Sequence, residues 1–207
     1  MAAGDVLRSW SDPGASAAGR AWDGRCLWWV RGDDGVAAQL DPLTGAVRRS
    51  WAPPAANSQG ACWDGRCLWT VAASTGMVYQ LDPLTGAVRR SWAAPSSLPT
   101  GLAWDGRTVL VFAYGIARIY QCNPLTGAVL RTITVPRSDY SGLAWDGQAI
   151  YAASTAANQV HRIHALTGAL LASFASPAAG PRGCAWDGRT IWLGCDATNL
   201  TYQLAVN

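Results

Sequence analysis

The side chains of this chain that could move protons, bind metal or act as nucleophiles are few. It has thirteen aspartates, two histidines and six cysteines, with no glutamate and no lysine. A lysine Schiff base and a glutamate acid or base are therefore excluded. Asp33, Asp34, Asp139 and Asp196 are the carboxylates in segments that vary along the chain. A hard cation takes six to eight oxygens, and Asp33-Asp34 lacks an Asp-x-Asp-x-Asp-Gly loop around it. These acids read as solvated turn residues. His161 and His164 stand three apart in a strand-like segment, so they point to opposite faces and cannot share a metal. No Gly-x-Ser-x-Gly elbow appears. No catalytic residue, no metal ligand and no cofactor is assigned.

The cysteines do not form a disulfide framework. Cys26 and Cys67 occupy the same place in successive repeats, too far apart for a bridge, and Cys184 and Cys195 fall at different heights of one hairpin. Only Cys62 and Cys67 face each other, across Asp64-Gly65, and whether they pair is open. Reduced, buried thiols are expected, which favours a cytoplasmic setting.

The elements that position these residues come from an internal repeat. Trp-Asp-Gly recurs at Trp22, Trp63, Trp104, Trp145 and Trp186, always 41 residues apart. Leu-Thr-Gly follows the same step from Leu43, Leu84, Leu125 and Leu166, and a glycine stands three residues before each repeat tryptophan (Gly19, Gly60, Gly101, Gly142, Gly183). Periods near 40 with several short strands mark a propeller blade. In the third repeat the strands read as 101–104, 108–112, 118–122 and 128–133. Asp105-Gly106 suggests a tight turn with two positive-φ residues, and Asn123-Pro124-Leu125-Thr126-Gly127 a turn ending in left-handed glycine. The apolar runs are nearly continuous, as expected for sheets covered on both faces. Gly and the Ala or Cys before each tryptophan let inner strands approach an axis. Trp10, Trp51, Trp92 and Phe174, with Ile133 in the third repeat, join the five repeat tryptophans in filling the spaces between blades.

The ends settle closure. Val6-Leu7-Arg8-Ser9-Trp10 matches Val47-Arg48-Arg49-Ser50-Trp51, so the chain starts with a fourth strand and ends with a third. The sequence predicts an all-β, five-bladed β-propeller over residues 1–207, four antiparallel strands per blade, with residues 5–11 pairing beside 199–204. Closure removes two sheet edges.

The pattern Gly-Leu-Ala-Trp-Asp-Gly…Tyr-Gln-Leu-Asp-Pro-Leu-Thr-Gly-Ala-Val-Arg resembles bacterial β-propeller repeats of the NHL-like, YVTN-like and glutaminyl-cyclotransferase-like group. The matching residues are turn and packing positions, so the resemblance implies a fold and no active site. The five-bladed glutaminyl cyclotransferases use a Glu, which this chain does not have. The near-identity of the repeats reads as recent amplification or engineering of one blade.

Invariant and variable segments separate by face. The Asp-Gly and Asp-Pro-Leu-Thr-Gly turns lie at one end of the blades. At the other end, loops on a rigid scaffold diverge, and such loops carry function. A ligand there would meet Arg31, Asp33, Asp34, Tyr114, Asp139, Tyr140, Arg182 and Asp196. The expected role is non-catalytic binding or scaffolding of a protein, peptide or glycan. A lectin-like propeller, a propeller enzyme of the hydrolase, lyase or cyclotransferase kind, and a ligand-free repeat protein are the alternatives. Arg25, Arg66, Arg107 and Arg189 after the turns, and Arg8, Arg49, Arg90 and Arg131 on outer strands, form rings that aspartates of the same turns are expected to balance. With a net charge of +3, neither nucleic acid nor a membrane is an expected partner, and a monomer is expected.

Overall fold

The computed structural model describes residues 1–14, 19–31, 33 and 35–206; Asp34 lies outside them. Twenty strands, β1 to β20 in chain order, form five four-stranded antiparallel sheets. Blade 1 pairs β2 (Gly19–Trp22), β3 (Leu27–Arg31), β4 (Val36–Leu40) and β5 (Val47–Trp51) in that order. Blades 2, 3 and 4 repeat the meander from inner strands β6 (Ser58–Trp63), β10 (Pro99–Trp104) and β14 (Tyr140–Trp145). The inner strands touch in a cycle, which returns from β18 (Pro181–Trp186) to β2. The molecule is a five-bladed β-propeller. Its strands differ little from the sequence reading; β10 starts earlier, at Pro99, through a register shift before Leu102.

Closure occurs as the repeat offset predicts. β1 (Val6–Ser11) pairs with β20 (Leu200–Leu204), bringing Ser9 opposite Tyr202 and Trp10 opposite Thr201. Trp10 then packs 4.9 Å, ring to ring, from Trp192. This seam differs chemically from the others. At the seam between blades 3 and 4, Ile119, Val135 and Leu143 pack in one apolar cluster. The residues at the same repeat positions in the closing seam are Thr201, Asp12 and Arg20. Arg20 and Asp12 form an ion pair at 2.5 Å with both side chains fully buried. The Thr201 hydroxyl donates to Asp12 Oδ1 (2.5 Å) and accepts from Arg20 Nε (3.1 Å).

The axis is built on glycine. A Cβ on Gly19, Gly60 or Gly142 would fall 2.1–2.3 Å from a backbone carbonyl oxygen of the next blade. Neighbouring inner strands approach too closely there for any side chain. Below this layer, a channel of about 110 Å³ is lined by Ala21, Cys62, Ala103 and the five repeat tryptophans. These tryptophans also pack between blades: Trp22 stacks on Trp192 and Trp186 on Tyr151. The second strands are buried along their whole length in blades 2 to 5, as sheets covered on both faces should be.

The repeat aspartates hold the turns together. Asp23 Oδ1 accepts the Arg25 and Cys26 backbone N–H groups (2.9 and 2.6 Å), and Oδ2 accepts from Trp28 Nε1 and Gln39 Nε2 (2.9 and 2.7 Å). Only the glycine of each Asp-Gly pair has positive φ, 92° at Gly24, so the expected two-residue turn is replaced by a loop that the carboxylate itself caps. The Asp-Pro-Leu-Thr-Gly turns do end in left-handed glycine, φ 74° at Gly45. The arginines are not balanced as expected. Among the described residues, Arg25, Arg66, Arg107 and Arg189 make no ion pair, because the neighbouring carboxylates are already committed. The ion pairs form farther out instead. Asp41 meets Arg48 at 2.6 Å, and Asp82 meets Arg89. These arginines, with backbone N–H groups of the turn, hold both carboxyls down at about 2. Where Asn123 or His164 opens the turn, the outer strand carries Leu130 or Leu171 in place of the arginine. His164 Nδ1 takes over the cap, accepting N–H groups of Leu166 and Thr167.

Candidate functional site

The variable face has a central mouth just above the glycine layer. The inner strands of blades 2 to 5 each place one residue there, immediately before the axial glycine: Gln59, Thr100, Ser141 and Arg182. A cavity of about 310 Å³ is lined by these four together with Ala73, Leu98, Tyr114 and Thr155. One position of the repeat thus supplies four different side chains to one site. The loops above it supply the aromatic and apolar wall: Tyr114 is 43% exposed and Leu98 51%.

The polar groups of the mouth are held in place by the backbone. The Thr100 hydroxyl donates to the Tyr140 carbonyl (3.0 Å), and Thr155 Oγ1 donates to the Pro181 carbonyl (3.0 Å). Ser141 Oγ lies 3.0 Å from Thr155 Oγ1 and 3.1 Å from the Pro181 oxygen. Hydroxyls that donate inward keep their lone pairs toward a ligand. Arg182 Nε donates to Asp196, which neutralises the one cation among the described lining residues. The site therefore presents amide, hydroxyl and phenol groups beside apolar surface. That composition suits recognition of a neutral polar molecule, and it contains no histidine.

Of the residues expected to form a ligand site, Tyr114 and Arg182 line this mouth, and Asp196 joins it through Arg182. Arg31 and Asp33 pair with each other at 3.4 Å in blade 1, away from the cavity. Asp139 is a loop clamp: it pairs with Arg137 and accepts from Ser154 Oγ (2.7 Å) and the Ala156 N–H (2.8 Å). Tyr140 is the clear departure, because it is fully buried against Phe112 and the apolar seam. Position 140 starts an inner strand and turns inward, where Pro99 and Pro181 stand in the neighbouring blades. Gln59, Thr100, Ser141 and Thr155 were not among the expected residues. The signal for Gln59, Thr100 and Ser141 was the residue before each repeat glycine, which is never the same twice, whereas Thr155 lies in the loop after the second strand of blade 4.

All six cysteines are free and buried, Cys62 and Cys67 included. Burial pushes the Cys184 and Cys122 thiols up to about 12, so neither is a thiolate nucleophile.

His161 sits behind the face, in contact with the buried tyrosine. Its Nδ1 lies 2.8 Å from the Tyr140 hydroxyl and its Nε2 3.1 Å from Gln159 Oε1. Burial, and then the positive charge of Arg137, lower its pKa, with Asp139 opposing. The folded protein therefore binds a proton there less readily than the unfolded chain, whose histidine titrates near 6.5. This contribution to stability is complete above that pH and is lost as pH falls below it. Denaturation midpoints should drop between about pH 7.5 and pH 5, and His161→Gln should flatten that slope. An unchanged slope in His161→Gln would show that the histidine is not responsible.

No family model matches the chain, and no curated protein sequence matches it. Solved structures do. The glutaminyl cyclase of Myxococcus xanthus superposes with a TM-score of 0.83 at 16% identity, over 98% of this chain and 97% of that one. Virginiamycin B lyase from Staphylococcus aureus gives 0.57 at 14% identity, over 95% of this chain and 68% of the lyase. At these identities the likeness is one of fold. The superposition with the cyclase runs over nearly the whole of both chains, and what they share is the fold.

Proposed function

We propose that this chain is a non-catalytic binding propeller whose ligand, a small neutral polar molecule or the polar end of a glycan or peptide, docks at the central mouth of the variable face. The observation that carries this is the mouth itself: four blades contribute Gln59, Thr100, Ser141 and Arg182 from one repeat position, where drift has left four different side chains beside Tyr114. The Asp-Gly turns on the opposite face recur in every blade, and their aspartates are consumed by internal hydrogen bonds. Screening the protein against glycan and peptide arrays should return ligands whose binding falls at least roughly tenfold in Ser141→Ala and Thr100→Val, since each variant removes one hydrogen bond to a ligand. Ligands that bind both variants as well as the parent would place the site elsewhere.

The full-length likeness to a glutaminyl cyclase supports a second reading, ring closure of an N-terminal glutaminyl residue at the same mouth. That reaction needs a proton acceptor for the attacking amine. The mouth offers only the Tyr114 phenol, and Asp196 within its ion pair with Arg182. Incubation with a glutaminyl peptide, followed by mass spectrometry for loss of ammonia, decides between the two: turnover abolished by Asp196→Asn would establish the enzyme, and an unaltered peptide the binding module.

A further inference from the structure

The five outermost strands are an internal comparison of how the chain protects its edges. β1, β5, β9 (Val88–Ala93) and β13 (Val129–Thr134) each carry arginine at the same repeat position: Arg8, Arg49, Arg90 and Arg131. Charged side chains on an edge strand discourage another chain from pairing with it. β17 (Leu170–Ala175), the edge of blade 4, has Ala172 there and no charged residue at all. Its sequence is Leu-Leu-Ala-Ser-Phe-Ala, and its first four residues are exposed. β17 pairs with its neighbour on one side only, so its other backbone groups face outward. Leu170 and Leu171 are 47% and 49% exposed, and Leu166 and Leu130 beside them 60% and 57%.

We propose that β17 is a self-association edge, where two copies of the chain pair their β17 strands antiparallel about a twofold axis and continue blade 4 of one protomer into blade 4 of the other. A second copy is the occupant that the charges favour. An antiparallel pair of identical strands centred on Ala172 sets Ala172 against Ala172 and Leu171 against Ser173, with no like charges opposed. The same pairing through any other outer strand would bring arginines together. The nearby cations are already engaged: Arg162, opposite Ala172 on β16 (Gln159–His164), pairs with Asp146 at 2.9 Å, and Arg131 Nη2 donates to the Leu166 carbonyl at 2.7 Å. The amino end of the chain meets the far end of the strand, where a Cβ on Gly4 would lie 3.2 Å from the Phe174 ring and 3.3 Å from the Ala175 oxygen.

The test is Ala172→Arg in an Arg162→Gln background, which writes into blade 4 the cross-strand glutamine–arginine pair that the other four blades already fold with. Sedimentation of the parent protein from low micromolar to about 1 mM should show a monomer–dimer equilibrium. Ala172→Arg should weaken it at least about 100-fold, two facing arginines replacing two alanines, while the thermal midpoint extrapolated to low concentration stays unchanged. A parent that sediments as a monomer throughout overturns the proposal, and so does a dimer that Ala172→Arg leaves intact.

Discussion

Asp12→Ala is expected to cost about 3–5 kcal/mol, because it leaves the Arg20 guanidinium buried without its counter-ion. Guanidinium unfolding should register the loss as a lower midpoint. The chain contains its own control for the converse experiment. The seam between blades 3 and 4 holds Val135, Leu143 and Ile119 at these positions, all three apolar and buried. Asp12→Val, Arg20→Leu and Thr201→Ile together should therefore restore the parent stability within about 1 kcal/mol, or exceed it, since replacing a buried ion pair with packed hydrophobes is often neutral or better. A triple variant as unstable as the single one would show that this seam cannot accept the packing of its neighbour. The ion pair would then be retained for specificity: it marks which strand edge the amino-terminal strand must join, 189 residues away from Thr201. Removing residues 1–12 abolishes both the pair and the fourth strand of blade 5, so that deletion should be costlier than either substitution.

The second large effect is expected at the axis. Gly142→Ala would set a methyl group 2.2 Å from the Arg182 carbonyl oxygen and 2.7 Å from the Cys184 nitrogen, both backbone atoms that cannot swing aside. Overpacking of this kind costs about 3 kcal/mol or more. At the equivalent Gly101, the nearest atom is the Leu143 Cγ at 3.0 Å, a side chain able to move. Gly101→Ala should cost only about 1 kcal/mol. Chemical denaturation of the two variants side by side separates them, and equal losses would mean that the inner strands slide apart more easily than their spacing suggests.

Much of this architecture was legible in one dimension. An unbroken period of 41 residues gives the blade, the small residues before each tryptophan give the axis, and the offset between Trp10 and Trp51 gives the closure. The periodic signal is strong because every repeat must satisfy the same packing. What the period could not show lies where a repeat departs from its siblings. Arg20 is the instructive case. Aligned with Ala61, Leu102, Leu143 and Cys184 it is plainly anomalous, yet nothing local says that it meets Asp12 and Thr201 across the ring. Tyr140 was misplaced for the opposite reason. Its loop is variable and polar, as Arg137, Ser138 and Asp139 suggest, but the strand begins at Tyr140 itself and its ring turns into the seam. The Asp-Gly pairs depart from the two-residue turn because the aspartate side chain, not a backbone conformation, closes the loop. At the variable face, exposed acids drew attention, whereas the mouth is walled mostly by amide and hydroxyl groups that carry no charge signature.

The linked exchange between turn and outer strand bears on how such a molecule could be recombined. Asp41 with Arg48, Asp82 with Arg89, Asn123 with Leu130 and His164 with Leu171 each sit seven positions apart on one hairpin. A crossover inside that hairpin would combine an acid from one parent with a leucine from another, stranding a charge. Crossovers between blades would carry each couple intact. Chimeras assembled at those outer junctions should fold as readily as their donors, which makes the hairpin, smaller than a blade, the indivisible cassette of this chain.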